Sequence, residues 1–456
     1  MSSFPKEFID NTSAALGGAA EIVIDALETG GSVTAVRANP AKMTVEALER
    51  RFDAADGRVP WRGDALFLAS RPQFSLDPLL HAGAYYVQDP SAMFVGCVAA
   101  AAMRSAGTAA TRVLDLCAAP GGKTTCIAAS LGGGLLVANE VIGSRATILA
   151  ENAVKWGNPN VAVTCGDPSQ FASLPGWFDV IVADVPCSGE GMFRKEAQAV
   201  AEWSQENVRL CEARSRRIVA DVWPALREGG FLVYSTCTFN SFENDGNAAW
   251  IAEKLGAEII PIECADPVLT AECAAAGHIA TRCGIQLAPG ITRGEGQYVA
   301  LLRKTASAAA LRRKALPALK KVACDWLRPG FACCQVERST GPMIKAYPEA
   351  LMQDIRTVEE NLRTLRSGVA VALVKGRDRI PQADLALSTA LGGGAFPRVE
   401  LSREDALQYL RTQPLALPDA PAGFLAVCSE GLPLGFVKNL GRRANNLFPQ
   451  AWRLRM

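Results

Sequence analysis

From residue 112 onward, short apolar runs alternate with helical stretches, and this alternation constrains the fold more than any other feature of the chain. The runs cover 112–117, 135–139, 161–165, 178–185 and 231–236, with further candidates at 257–262 and 297–303. Helical patterns lie between the first five. Strands separated by helices form βαβ units, so the chain is predicted to build an α/β, doubly wound, mostly parallel sheet whose last strand is not parallel. Sheets of this kind place their chemistry at the carboxyl ends of the strands.

Two cysteines stand at such ends. Val182-Ala183-Asp184-Val185-Pro186-Cys187 closes one run and Val233-Tyr234-Ser235-Thr236-Cys237 closes another. Two thiols so placed point to covalent chemistry on an electrophile. The thiolate is the nucleophile, so the attacker's pKa must fall below the free value of about 8.5. The residues alone leave open which thiol attacks; the bland alternative is that both are small buried hydrophobes. Cys126, Cys165 and Cys211 read as packing, and Cys117 mostly so.

The run ending Val113-Leu114-Asp115-Leu116 leads into Cys117-Ala118-Ala119-Pro120-Gly121-Gly122-Lys123-Thr124-Thr125 and then a helix. A strand, a glycine loop and a helix N-terminus direct backbone N–H groups at a ligand. Gly122-Lys123-Thr124 mimics the end of a P-loop, and Val180–Asp184 resembles a magnesium-site strand. A P-loop also needs a glycine where Cys117 stands, and Pro120 offers no N–H. A nucleoside-bearing cofactor with little phosphate fits better. Glu140 closes the second run and is placed for ribose hydroxyls. Asp167 follows the third and is placed for an adenine edge, and Asp184 ends the fourth. Singly, each acid could be a cap or turn residue. Together, at successive strand ends, they form the layout of S-adenosylmethionine enzymes. Metal binding is not expected: fourteen cysteines contain no Cys-x-x-Cys pair, and the only histidines, His81 and His278, read as surface or packing residues.

The net charge of +1 excludes global polyanion binding, but basic residues cluster locally. Lys438, Arg442, Arg443, Arg453 and Arg455 lie in an acid-free stretch, as do Arg312, Arg313, Lys314, Lys320 and Lys321. Such clusters suit phosphate contacts, with a solvated face as the alternative. The start of the sequence lacks a signal-peptide pattern and no membrane-length apolar run occurs, so a cytoplasmic protein is expected. Four regions are expected. Residues 1–104 form an N-terminal α+β part, with Thr44 and Asp89 opening helices. Residues 105–305 carry the sheet. Residues 306–375 form a linker and small module, and 376–456 a β-rich end. A short strand is also expected at 387–391.

Leu114–Thr125, Asp184-Val185-Pro186-Cys187-Ser188-Gly189 and Ser235-Thr236-Cys237-Thr238 together resemble the Sun/RsmF family of RNA 5-methylcytosine methyltransferases. Gly189-Glu190-Gly191-Met192-Phe193-Arg194-Lys195 is similar to its RsmF branch, which acts on small-subunit ribosomal RNA. Gln88–Met93 and Arg293-Gly294-Glu295-Gly296 also match. Gly435–Lys438 and Asn446–Pro449 resemble that branch's PUA-like RNA-binding domain. The family often has a Pro-His pair where this chain has Pro289-Gly290.

The resemblance implies a Rossmann-like class I methyltransferase sheet flanked by N-terminal and PUA-like RNA-binding domains. S-adenosylmethionine is the implied cofactor, bound by Cys117, Ala118, Ala119, Pro120, Gly121, Gly122, Lys123, Glu140, Asp167 and Asp184. The implied partner is 16S rRNA, in the small subunit or its precursor; the protein is expected to act as a monomer. Transfer RNA, a P-loop NTPase and an inactive assembly factor are the alternatives. Cytosine C5 is a poor nucleophile until a thiolate adds to C6, and that addition needs a proton or strong hydrogen bond at N3. Asp184 is placed to supply it, which requires a raised pKa. In DNA cytosine methyltransferase logic the Pro-Cys thiol, here Cys187, attacks. The resemblance implies the reverse: Cys237 attacks and Cys187 assists release. The target base must leave its stack. Arg37, Asn39, Arg194 and Lys195 are expected to face RNA.

Overall fold

The computed structural model describes residues 4–53, 55–108, 111–312, 316–338 and 341–455. A ten-stranded sheet forms its centre. Five strands run parallel in the order Leu226–Thr236, Phe178–Asp184, Arg112–Asp115, Leu135–Asn139, Val161–Thr164. These strands are rich in Val, Leu and Ile and buried on both faces, as covered parallel strands require. The Gln297–Lys304 strand adds antiparallel to Leu226–Thr236, so the expected non-parallel last strand is present. Parallel pairing aligns Asp184 with Ser235, bringing the ends of both cysteine-bearing strands to one level.

The N-terminal region pairs helices Lys6–Leu16 and Ala20–Thr29 with a four-stranded sheet. Thr44 and Asp89 cap helices Val45–Arg51 and Pro90–Ala106, their side chains accepting from Ala47 and Ala92 N–H. The second helix is almost entirely buried and packs against the helix of the glycine loop.

Beyond the ten-stranded sheet, a five-stranded sheet runs from Lys320–Lys321 to Asp378–Pro381. Its last hairpin pairs Lys375 with Asp378, so the expected boundary between 375 and 376 cuts a turn. The strand expected at 387–391 is instead the end of helix Ala383–Leu387 followed by a turn. A short apolar run bounded by glycines does not by itself distinguish the two. The C-terminal sheet has the order Arg398–Glu400, Gly423–Ser429, Leu432–Asn439, Ala444–Asn446.

The middle module is also stitched into the ten-stranded sheet. Its strand Thr364–Arg366 pairs antiparallel with Val161–Thr164, and Cys165 N–H donates to Arg363 C=O at 2.9 Å. Arg366 is buried, donating to Val161 C=O at 2.7 Å and to Asp384 at 3.0 Å. No helix among the described residues is long and apolar enough to cross a membrane.

Candidate active site

The glycine loop begins where the Arg112–Asp115 strand ends. Gly121 has φ +113°, a conformation that favours glycine, and a β-carbon there would stand 3.2 Å from Leu149. Helix Gly122–Ser130 starts at once with no side-chain cap, so its first N–H groups have no partner within the helix. Asn139 staples the neighbouring strand ends: its amide donates to Leu116 C=O at 3.2 Å and Gly166 C=O at 3.0 Å. Thr164 Oγ1 returns a bond to its oxygen at 2.9 Å.

Glu140, buried, accepts from Ile142 N–H at 3.0 Å through Oε1; Arg145 approaches Oε2 at 3.5 Å. Asp167 caps the turn that follows its strand, accepting from Ser169 N–H and Oγ at 3.0 and 2.7 Å. Those bonds lower its pKa. Asp115 is fully buried and accepts from Thr124 Oγ1 at 2.6 Å. Burial pushes its carboxyl up to about 7.

The thiol end of the site is tightly linked. Cys187 and Cys237 sulfurs are 3.3 Å apart, and Cys237 N–H reaches Cys187 Sγ at 3.4 Å. The hydrogen bond to Cys237, and then burial, push the Cys187 thiol well above the ordinary cysteine range. Asp184 accepts from Lys123 Nζ at 2.8 Å, Ser235 Oγ at 2.7 Å and Gln297 Nε2 at 3.0 Å. Burial works against the Lys123 charge, but Asp184 outweighs it and the lysine pKa is raised. The glycine loop, Asp184 and both thiols are thus brought to one sheet edge, with Glu140 and Asp167 following neighbouring strands.

Three family models match in series. The N-terminal domain of 16S rRNA methyltransferase RsmF matches residues 4–90, 16S rRNA methyltransferase RsmB/F matches 105–303, and the methyltransferase RsmF PUA domain matches 396–454. Ribosomal RNA small subunit methyltransferase F of Enterobacter sp. (strain 638) is 30% identical, over 91% of this chain and 88% of that protein. The Klebsiella pneumoniae (strain 342) protein of the same name is 34% identical, over 81% and 78%. The chain belongs to the RsmF family of methyltransferases. Solved structures share its fold. A methyltransferase homolog protein from Pyrococcus horikoshii has a TM-score of 0.54 at 24% identity, covering 66% of this chain and 96% of its own. NSun6 from Pyrococcus horikoshii with SFG has 0.52 at 18%, covering 67% and 100%.

Within the RsmF framework, several basic residues expected to face RNA are internal. Arg194 is 6% exposed and bridges Glu295 at 2.8 Å, Gly294 C=O and Gly31 C=O. Lys195 is exposed, 3.6 Å from Glu295 and 3.8 Å from Asp89. Arg37 is fully buried under Trp156, and Asn39 donates to Gly83 and Trp156 carbonyls at 2.9 and 2.8 Å. They join the N-terminal region to the catalytic sheet. The RsmF-type tail differs: Arg442, Arg443, Arg453 and Arg455 are exposed. Arg312, Lys320 and Lys321 are also exposed; Arg313 and Lys314 lie outside the described residues.

The departure at Pro289-Gly290 has a local cause. Gly290 has φ +80°, and a β-carbon would stand 2.9 Å from Ile22 of helix Ala20–Thr29. Sequence reasoning missed Asn139, Glu190, Asn240 and Glu243. Glu190 and Glu243 lie behind the thiols with Asn240 between them, its amide donating to both at 2.9 and 2.8 Å. Burial pushes Glu243 up to about 7. The acid and amide residues following Cys237, in Phe239-Asn240-Ser241-Phe242-Glu243-Asn244, were the available signal.

Proposed function

We propose that this chain methylates C5 of cytosine in 16S rRNA, using S-adenosylmethionine and a covalent bond from Cys237 to C6. The observation that carries the reading is the 3.3 Å approach of two thiols beside the Lys123–Asp184 pair. The names of the curated relatives support ribosomal RNA as the substrate.

The crevice suits the cofactor. The loop turns at Gly121 straight into the helix N-terminus, and Glu140 Oε2, with only a 3.5 Å approach from Arg145, retains acceptor capacity for ribose hydroxyls. S-adenosylmethionine bound there would supply an electrophilic methyl group. Cys117–Lys123, Glu140, Asp167 and Asp184 would hold it.

Cys237 attacks as a thiolate: its electron pair forms the C6–S bond, and the C5=C6 pair moves toward N3. Asp184 and Lys123 answer the charge at N3. Asp184 receives its proton from Lys123, whose ammonium already donates to it, and passes it to the ring nitrogen. C5, now nucleophilic, takes the methyl group as the methyl–sulfur bond of the donor breaks and its pair stays on that sulfur. For release, the C5 proton passes to water and its electron pair re-forms C5=C6. The C6–S pair returns to Cys237, the neutral Cys187 thiol donates to that departing sulfur, and the N3 proton returns through Asp184 to Lys123.

Cys237→Ala should abolish transfer. Cys187→Ala should accumulate an RNA–protein adduct that survives denaturing electrophoresis. Adduct formation by Cys237→Ala but not by Cys187→Ala would reverse the roles. Bisulfite sequencing of total RNA from a deletion strain tests the substrate: a lost 16S methylcytosine supports the reading, and a loss confined to transfer RNA overturns it.

A further inference from the structure

Two buried carboxylates behind the thiols take no part in these steps. Glu190, three residues after Cys187, accepts from Phe239 and Asn240 N–H at 2.7 and 3.2 Å, just beyond Cys237. Glu243, six residues after Cys237, accepts from Ser188 N–H at 2.9 Å and Ser188 Oγ at 2.5 Å, just beyond Cys187. Each cysteine loop therefore lends a carboxylate to the other's backbone. Both side chains are fully buried.

We infer that Glu190 and Glu243 are positioning residues that hold the two thiols in register for the release step. The inference rests on the thiol roles proposed above. An isolated buried carboxylate is costly. These are satisfied by donors of the opposite loop. Trp203 Nε1 adds a donor to Glu190 at 3.0 Å. Gly191 N–H meets Cys237 C=O at 2.8 Å, and a β-carbon on Gly191 would stand 2.9 Å from that oxygen. The loops approach too closely there for any side chain, so the clasp fixes a close approach of backbone to backbone.

The chemistry explains why that precision matters at one step more than another. Attack on C6 uses one sulfur. Release uses both, because the Cys187 proton must meet the Cys237 sulfur as its bond to C6 breaks. Loosening the clasp should slow release more than attack.

The test uses the full chain with S-adenosylmethionine and 16S rRNA. Glu190→Ala and Glu243→Ala should raise the steady fraction of covalent adduct about fivefold, while its initial rate of formation falls less than about threefold. The Gln variants should lie nearer wild type and carry the test if the Ala variants do not fold. A clasp serving stability alone would lower attack and release together and leave the adduct fraction at the wild-type level, overturning the inference.

A second measurement needs neither RNA nor methyl donor. Diamide takes two electrons from a pair of thiols, and peptide mass analysis follows the Cys187–Cys237 disulfide. Its formation should slow about tenfold in the Glu variants. An unchanged rate overturns the positioning role. Cys187→Ala failing to trap adduct, while the Glu variants still slow cross-linking, would instead isolate the fault in the thiol assignment and overturn the release step.

Discussion

The Arg37 guanidinium donates to the Thr125 hydroxyl at 2.7 Å, binding the N-terminal region to the helix that follows the glycine loop. It also donates to Gln88 at 3.2 Å and lies 4.7 Å from the Trp156 ring centre. Arg37→Ala should destabilise the protein by about 3 kcal/mol, the scale of breaking a buried polar network. Urea unfolding measures this. Weaker RNA binding at an unchanged midpoint would restore a direct phosphate contact.

Lys123 is the cation facing Asp184, at 2.8 Å. Lys123→Met should slow single-turnover methyl transfer by about 10² or more, the usual worth of a positioned proton donor. Transfer at the wild-type rate would remove this pair from the proton path.

Asp115 should make stability depend on pH. Burial raises its carboxyl from 3.8 to about 7, so the native chain keeps a proton that the unfolded chain releases. That contribution is fully present below the unfolded value and is lost as pH rises through the native one. The stability of wild type relative to Asp115→Asn should therefore fall by about 3 kcal/mol between pH 4 and 7. Denaturant titrations at several pH values report it, and a pH-independent difference contradicts it.

The exposed tail arginines should govern salt-dependent RNA binding. Where Arg442, Arg443, Arg453 or Arg455 neutralises a phosphate, its replacement by Ala should flatten the slope of log affinity against log salt by about 0.7–0.9. Arg194→Ala should leave the slope unchanged and lower stability, because its charge is already spent on Glu295. The opposite pattern would place the RNA along Arg194.

The parallel core was legible because buried strands are written as continuous Val, Leu and Ile runs. The glycine loop and both thiols were legible because each sits where such a run stops. Arg37 and Arg194 were misread because an arginine has the same letter whether it meets phosphate or acceptors inside the fold. Glu190 and Glu243 escaped notice because their meaning exists only when two loops some 50 positions apart touch. Thr364–Arg366 was missed for a related reason: a three-residue strand carries almost no periodic signal, and its partner lies far back in the sequence.

That short strand also bears on how the protein is made. A ribosome completes Val161–Thr164 long before it reaches Thr364–Arg366, so the nascent catalytic sheet waits with an open flank. Unpaired strand edges invite foreign pairing. That flank of the ten-stranded sheet is thus finished by residues synthesised after it, and a chain halted at residue 305 would leave the backbone beside Asp167 without its last partner.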